Sequence, residues 1–497
     1  MKENSKENNN KENSKENNKD NNKVMKLFGK IKNQISGSFR DYPFTMVAIV
    51  IAAFFGAILA DLDQSSARDL YERAMTFGLI FAVGELYCEE CLKKEKTKYI
   101  FGTAISVILG LFFTYVFTGE SNYIFGVKAE TFSEICLRII TVYAITLIGM
   151  SVYHMFKRIE TNFETYVTRA FMKFVKVTVI YGLFAIGLAV ILMIFNELIY
   201  DTEELLLRIE VFLAGGIYAP MCLKTIAAKN TDAGKFAKIC FNFALLPMLL
   251  IAFSIIYMYF IKIFTTDTVP SNVAFHILTF LFAVGAPVWT ISRNINENTA
   301  NSKLTALLQY IPYIFLPFVA LQCYALGIRI NQYGFTVSRY EGVIVIVAEV
   351  VYFVLYFMHQ KGNKKAIAYI LPIASVIAVF ALLVPFTSYD DVVIRSQIKR
   401  IHNYVAIENR SDSQNKELKS AFNIVGSVGY KGEKVLTKEF SKTLLDEIKT
   451  YEDEYGYYPA ENYAYIDLNN LFNDVDISDY ARITKVTSDK LDSHFMA

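Results

Sequence analysis

Of 497 residues, 54% are hydrophobic, 15% aromatic and only 20% charged, and the mean hydropathy is +0.31. That is too apolar for an ordinary soluble enzyme of this length, and the sequence reads as a membrane protein. Fifty Lys and Arg against 48 Asp and Glu leave a net charge of +2, without the one-sided basic excess of a nucleic-acid binder.

The charges are nevertheless segregated. Residues 1–40 carry ten cations and five acids, whereas 387–497 carry fourteen cations and nineteen acids. The chain opens on MKENSKENNNKENSKENNKDNNK, an Asn/Lys/Glu run with a near-repeat of KENSKENN. Having almost no apolar side chains, it cannot offset chain entropy, so residues 1–40 are expected to be a disordered cytoplasmic tail. No signal-peptide pattern precedes the first apolar run, which is expected to stay in place as a signal anchor.

Crossing a hydrocarbon core of roughly 30 Å takes about 20 apolar residues as a helix. Eleven stretches qualify: 42–60, 74–92, 99–117, 135–156, 174–198, 205–225, 239–264, 273–291, 304–328, 342–358 and 366–386. The expected fold is an all-α polytopic bundle over 41–386. Glu85, Glu89 and Glu90 weaken the second stretch, and Arg208 and Glu210 the sixth. One set of alternate loops holds twenty-one Lys and Arg. The other set holds only five: Arg68, Arg73, Lys128, Arg329 and Arg339. Because Lys and Arg are retained inside, the amino terminus is expected in the cytoplasm and, eleven being odd, the carboxyl-terminal segment outside.

Soluble-enzyme signatures are missing: there is no nucleotide-binding glycine loop, His-Glu-x-x-His or Gly-x-Ser-x-Gly. Cys88 and Cys91 form a Cys-x-x-Cys without a second pair or nearby His, so neither a metal nor a cofactor is expected. Ionisable residues inside spans carry more information, because a charge in hydrocarbon is costly and faces a bundle interior or a cavity. Glu349, eight residues into the tenth stretch, is the foremost candidate for a proton, ion or substrate role, against a structural, hydrogen-bonded carboxyl. Glu210, Arg208 and His276 are further intramembrane candidates. Glu85 and Arg138 lie nearer an end, within reach of the interface. In LAGGIYAPMC and FAVGAPVW, Gly precedes Pro in the sixth and eighth stretches, a pattern suited either to half-helices around a central site or to packing glycines and kinks.

Between the ninth and tenth stretches lies ALGIRINQYGFTVSRYEG. Gly334 suits a left-handed helix terminus, and Ser338 with Glu341 has the spacing of a capping box. Arg329 and Arg339, with Tyr333 and Tyr340 beside them, depart from the positive-inside trend. They are expected to form either a clasp onto Glu341, Glu210 or an acid of the outer segment, or a site for an anion. Around R-I-x-Q-Y-G-x-T-x-x-R-Y, Arg329 to Tyr340, the chain resembles an uncharacterised bacterial family of polytopic membrane proteins, domain-of-unknown-function family 4153, over perhaps residues 130–400. The resemblance implies membrane location and no activity.

Residues 387–497 are expected to form a small extracytoplasmic α+β domain. Ile394, Ile398, Ile401 and Val405 mark one amphipathic helix, and Leu436, Phe440, Leu444 and Ile448 a second. YAYIDLN and DISDYARITKV read as short strands.

The leading functional expectation is a secondary transporter or flippase of the bacterial cell membrane, with the lipid bilayer as its surroundings and an anionic lipid or small solute as its ligand. An envelope scaffold or sensor, with a protein partner on 387–497, is the alternative. A glycosyl- or lipid-transfer enzyme is the second alternative. It uses Asp61 and Asp63 of the first outer loop and looks like the layout of polyprenyl-phosphate-sugar glycosyltransferases.

Overall fold

The structure, a computed structural model, describes residues 29, 31–60, 66–119, 123–124, 127–159, 162–198, 203–227, 240–266, 272–296, 308–441, 444, 463–464 and 482–483. The expectations for the Asn-rich run, for Asp61 and Asp63, and for nearly all of the chain after 441 lie outside these residues. Two compact units are present, 1–403 and 404–497.

The first unit is helical. Helix α1 (Ile31–Asp41) turns through 112° into α2 (Pro43–Leu59), so residues 31–40, expected to belong to the disordered tail, are helical. Pro43 sits in the first turn of α2, where its missing N–H costs nothing. There follow α3 (Ser66–Tyr87), α4 (Lys96–Thr118), α5 (Ala129–Ile159) and α6 (Phe163–Leu198). A two-residue hairpin, Tyr123–Ile124 with Val127–Lys128, lies between α4 and α5. Helix α7 starts as Glu203–Leu213 and passes through a π turn, Ala214–Tyr218, into Ala219–Ile226. Helices α8 (Cys240–Thr266), α9 (Asn272–Asn296), α10 (Ile311–Tyr333), α11 (Val337–Gln360), α12 (Ala366–Leu382) and α13 (Tyr389–Val405) complete the unit.

Among the described residues, eight helices are long and apolar enough to span a bilayer, or nine if the α1–α2 pair counts as one span. Two of the eleven expected stretches are helical but fall short of that measure. Helix α3 carries too many charges, and α12 ends at Leu382, too short even with its opening 3₁₀ turn, Ala366–Tyr369, included. Large apolar side chains such as Leu183, Ile186, Ile191 and Met193 on α6 face outward, the arrangement lipid requires and water forbids.

The Gly/Pro sequences do not break their helices. Around LAGGIYAPMC the extra residue of a π turn keeps the backbone bonded ahead of Pro220, and a Cβ on Gly215 would collide with Ala53 of α2. Helix α9 runs through Pro287 without interruption. Close packing accounts for Gly215 against α2 and for Gly285 against Trp289 and Leu249, though not for Gly216, and with both helices continuous the half-helix reading is set aside.

The centre of the unit is an aromatic core shared by α8, α9, α10 and α11. Trp289, the single tryptophan, contacts Phe253, Phe282, Phe315 and Tyr352 with centroids 6.1–6.5 Å apart. Its indole N–H donates to the Tyr352 hydroxyl at 2.7 Å, which satisfies the one polar atom such a core would otherwise strand.

The turn joining α10 to α11 differs from its sequence reading in two respects. Gly334 ends α10 with the expected positive φ of 70°, but its ψ of −173° lies outside the left-handed helical region. Thr336, in extended conformation, caps α11 by accepting the Arg339 N–H at 3.3 Å, and Ser338 lies within the helix. Thr336→Ala is therefore expected to cost about 1 kcal/mol, and Ser338→Ala under about 0.5 kcal/mol, in thermal melts of the detergent-solubilised protein. The reverse order would restore the cap to Ser338.

In the second unit, a helix that the sequence reading did not anticipate, α14 (Asp412–Gly426), opens on a capping box of Ser411 and Gln414. Helix α15 (Tyr430–Glu439) ends sooner than its periodicity suggests. Phe440 turns extended and packs edge-on against Phe422 at 5.3 Å. Of the two expected strands, two-residue pieces are described, Tyr463–Ala464 paired in parallel with Arg482–Ile483.

Candidate functional site

One face of each of three neighbouring helices builds a polar column through the apolar bundle. On α9 the residues are His276, Thr279, Phe282, Trp289 and Arg293, at the three- and four-residue spacing that keeps side chains on one side of a helix. On α11 the matching series is Arg339, Glu349, Tyr352, Tyr356 and His359. Helix α10 runs the other way and contributes Arg329 and Gln322.

At the Gly334 end the three helices leave a pocket of about 340 Å³. It is lined by Phe275 and His276, by Ala325, Leu326 and Arg329, and by Thr336, Ser338 and Arg339. The Arg339 guanidinium donates to the Gly334 carbonyl at 2.8 Å and lies 5.4 Å from the centre of the Tyr333 ring. Arg400 of α13 approaches the same ring at 6.0 Å and donates to the Tyr333 carbonyl at 3.2 Å. Helix α13 is fastened to this turn by Gln397, fully buried, whose amide donates to the carbonyls of Tyr333 (3.0 Å) and Phe335 (2.7 Å). Ser396 adds a bond by accepting the Phe335 N–H at 2.9 Å. Tyr340 donates to the Thr387 carbonyl at 2.6 Å.

Ten residues along α11 from Arg339, about 15 Å at 1.5 Å per residue, lies Glu349 with 1% of its surface exposed. The Gln322 amide, 0% exposed, donates to Glu349 Oε1 at 3.4 Å and to Thr279 Oγ1 at 3.3 Å. Glu349 Oε2 and Gln322 Oε1 are buried without a hydrogen-bond partner among the described residues. Below them the aromatic core closes the column. At the Gln360 end, Glu164 of α6 lies 3.3 Å from His359 Nε2 and 3.5 Å from Arg293 Nη1. Arg293 and Gln360 both donate to the Tyr356 hydroxyl, at 3.0 and 2.7 Å.

Four of the candidates read from the sequence thus fall in one column: His276, Arg329, Arg339 and Glu349. Tyr333 and Tyr340 lie beside the pocket and do not line it, Tyr333 against the Arg339 guanidinium and Tyr340 bonded to the Thr387 carbonyl. The described contacts of Arg339 are a carbonyl and a ring, in place of Glu341 or Glu210, and the turn is held to α13 chiefly by amide and hydroxyl groups. Arg208 and Glu210 belong elsewhere. Arg208 borders an apolar recess with Phe54, Ile58 and Phe212, and the Glu210 carbonyl accepts from Tyr181 at 3.4 Å.

Glu85 is fully buried in place of reaching the interface, and it accepts from Thr103 at 3.3 Å while its Oε1 has no hydrogen-bond partner among the described residues. Arg138 and the acids of the following π turn have structural partners. Arg138 is more than an interface residue, since it pairs with Asp390 at 2.8 Å and Glu134 at 2.6 Å and lies 4.5 Å from the Tyr389 ring centre. Cys88 and Cys91 lie in a π turn, Cys88–Leu92, together with Glu89 and Glu90. Glu90 accepts from Tyr42 at 2.5 Å and lies within ion-pair reach of His154 (2.9 Å) and Arg158 (3.3 Å). Sequence reasoning missed Gln322, Glu164, Arg293, His359 and Gln397. The lone amide in PFVALQCYALG was the one available signal for Gln322, while the others lie in positions that read as span ends or surface.

The apolar outer faces, the long helices and the buried polar column define a multi-pass helical membrane protein. The chain belongs to the family described as a domain of unknown function, DUF4153, whose model matches residues 49–419, a wider span than the turn motif alone suggested. No curated protein and no solved structure gives a significant match.

Proposed function

We propose that this protein is a secondary carrier or flippase whose route follows the α9–α10–α11 column. The observation that carries the reading is the Glu349–Gln322 pair, a carboxyl and an amide buried together in mid-span with acceptor oxygens unused. A purely structural carboxyl would be expected to exhaust its hydrogen-bonding capacity, since an unmet buried acceptor costs about 1–3 kcal/mol. A carboxyl that exchanges partners during a transport cycle has reason to keep one oxygen available. The aromatic core and the Glu164–His359–Arg293 group would then close the route at the Gln360 end.

The Lys and Arg distribution supports an amino terminus in the cytoplasm, the Gly334 end outside and eleven crossings, with α3 and α12 spanning as members of the bundle. In that orientation residues 387–497 face outward, where they would offer a surface to a protein partner.

The test uses full-length protein in proteoliposomes, with uptake of radiolabelled glycerol 3-phosphate and transbilayer movement of fluorescent phosphatidylglycerol as probes. Glu349→Gln preserves shape and removes the ionisable oxygen. It should lower the rate of whichever probe moves by at least about tenfold, equivalent to roughly 1.4 kcal/mol in the barrier. The same rate in the variant would remove Glu349 from the mechanism, and no movement of either probe by the wild type would refute the carrier reading for these anions.

A further inference from the structure

We infer that Glu85, with the hydroxyls of Ser106 and Tyr143, forms a binding site for a hard monovalent cation, Na⁺, where α3, α4 and α5 meet. The site lies outside the α9–α10–α11 column. It does not rest on the carrier reading, and it is tested by binding without any flux.

The carboxyl comes first. Glu85 of α3 has 0% of its surface exposed, and Thr103 of α4 donates to its Oε2 at 3.3 Å. Its other oxygen, Oε1, is buried without a hydrogen-bond partner, and no Lys, Arg or His pairs with Glu85 among the described residues. The neighbouring acids differ in this respect. Glu89 is taken up by the start of α2, and Glu90 by Tyr42, His154 and Arg158. A buried carboxylate with no countercharge is costly, so the negative form of Glu85 calls for a cation that this chain does not supply there.

The surrounding oxygens select the cation. Ser106, 3% exposed and one turn along α4 from Thr103, already donates its hydrogen to the Gly102 carbonyl at 3.1 Å, and the Cys88 thiol lies 3.9 Å from its oxygen. Ser106 therefore presents a lone pair toward its surroundings, because a hydroxyl has only one hydrogen to give. The Tyr143 hydroxyl of α5 is buried without a partner among the described residues and lies close enough to feel the charge of Glu85. Both hydroxyls close on one point beside Gly84, the residue before Glu85. A Cβ at Gly84 would lie 2.3 Å from the Tyr143 oxygen and 2.4 Å from the Ser106 oxygen, so only glycine lets them converge.

Three helices thus bring a carboxylate oxygen and two hydroxyl oxygens with unused electron pairs to one buried place. A proton on Glu85 would meet one of those oxygens, whereas a metal ion accepts electron pairs from all three. Ligands that are all oxygen suit a hard ion. The single negative charge sets the valence, since a divalent ion would leave a positive charge uncompensated inside the bundle.

The experiment is equilibrium binding of radioactive Na⁺ to the full chain in detergent, with choline chloride holding ionic strength constant. Wild type should show one saturable class of site, and replacing choline by Na⁺ should raise its melting temperature, because a ligand of the folded state stabilises it. Glu85→Gln should weaken binding by at least about tenfold, and Tyr143→Phe, which keeps the ring and removes one oxygen, by at least about threefold. Glu72→Gln, an exposed carboxyl of the same helix, should bind like the wild type. If Glu85→Gln misfolds, Tyr143→Phe decides. The inference is overturned if wild type shows no saturable Na⁺ binding, if Tyr143→Phe and a folded Glu85→Gln bind as tightly as wild type, or if Ca²⁺ displaces Na⁺ at lower concentration than Na⁺ itself requires.

Discussion

Replacing Gly334 by alanine is expected to lower stability by about 3–5 kcal/mol, a large loss for one methyl group. Its backbone sits at φ 70° and ψ −173°, a region open to glycine and essentially closed to residues with a Cβ, at a cost of order 1–3 kcal/mol. Space is lacking as well. The new Cβ would lie 2.8 Å from Ser396 Oγ and 2.9 Å from Gln397 Nε2, the two groups that bond this turn to α13. Displacing them leaves the part-buried carbonyl and N–H of Phe335 unmet, at about 1–3 kcal/mol each if relaxation is incomplete, while the Tyr333 carbonyl keeps its bond from Arg400. Asparagine, which tolerates the ordinary left-handed helical conformation, should not rescue the site because that conformation has a different ψ. Thermal loss of helical signal in detergent, and protease cleavage between α12 and α13, measure the effect. Stability equal to wild type in Gly334→Ala would show that the turn yields and that α13 is not fastened there.

Glu89→Leu should also destabilise the protein, by about 2–4 kcal/mol, although it makes the second apolar stretch look like a better membrane span. Glu89 has 3% of its surface exposed and reaches across to the start of α2. There it accepts from the N–H groups of Phe44 (2.9 Å) and Thr45 (3.1 Å) and from the Thr45 hydroxyl (2.7 Å). A carboxylate contributed by another helix thus caps α2, satisfies donors that every helix start leaves over and meets the positive end of the helix dipole. Leucine removes all three bonds and strands the donors in a buried setting. Glutamine keeps an acceptor oxygen and loses the charge, so it should fall between leucine and the wild type. Glu72→Leu, at an exposed position of the preceding helix α3, should change stability by under about 0.5 kcal/mol. An increase in melting temperature for Glu89→Leu would mean that hydropathy outweighs the cap.

The sequence by itself determined the solvent this chain folds in. Continuous apolar runs longer than any globular core helix, with alternate loops rich and poor in Lys and Arg, leave lipid-facing helices as the only means of keeping backbone groups bonded. The same local rules found Gly334 at its helix terminus and the amphipathic repeat of α13, because a conformational preference or a periodicity resides in neighbouring residues. Glu349 and His276 were legible as polar side chains among apolar ones. Tertiary structure decided which of these residues meet. Gln322 lies 27 positions from Glu349, Glu89 lies 45 from the amide of Phe44 that it accepts, and Gln397 lies 64 from Tyr333. Whether an acid in a span is a defect, a cap or a working group depends on donors delivered from those distances. Gly215 and Pro220 show the same limit, since the residues that could break a helix are also those that let two helices approach, and the position of α2 determines which use is made.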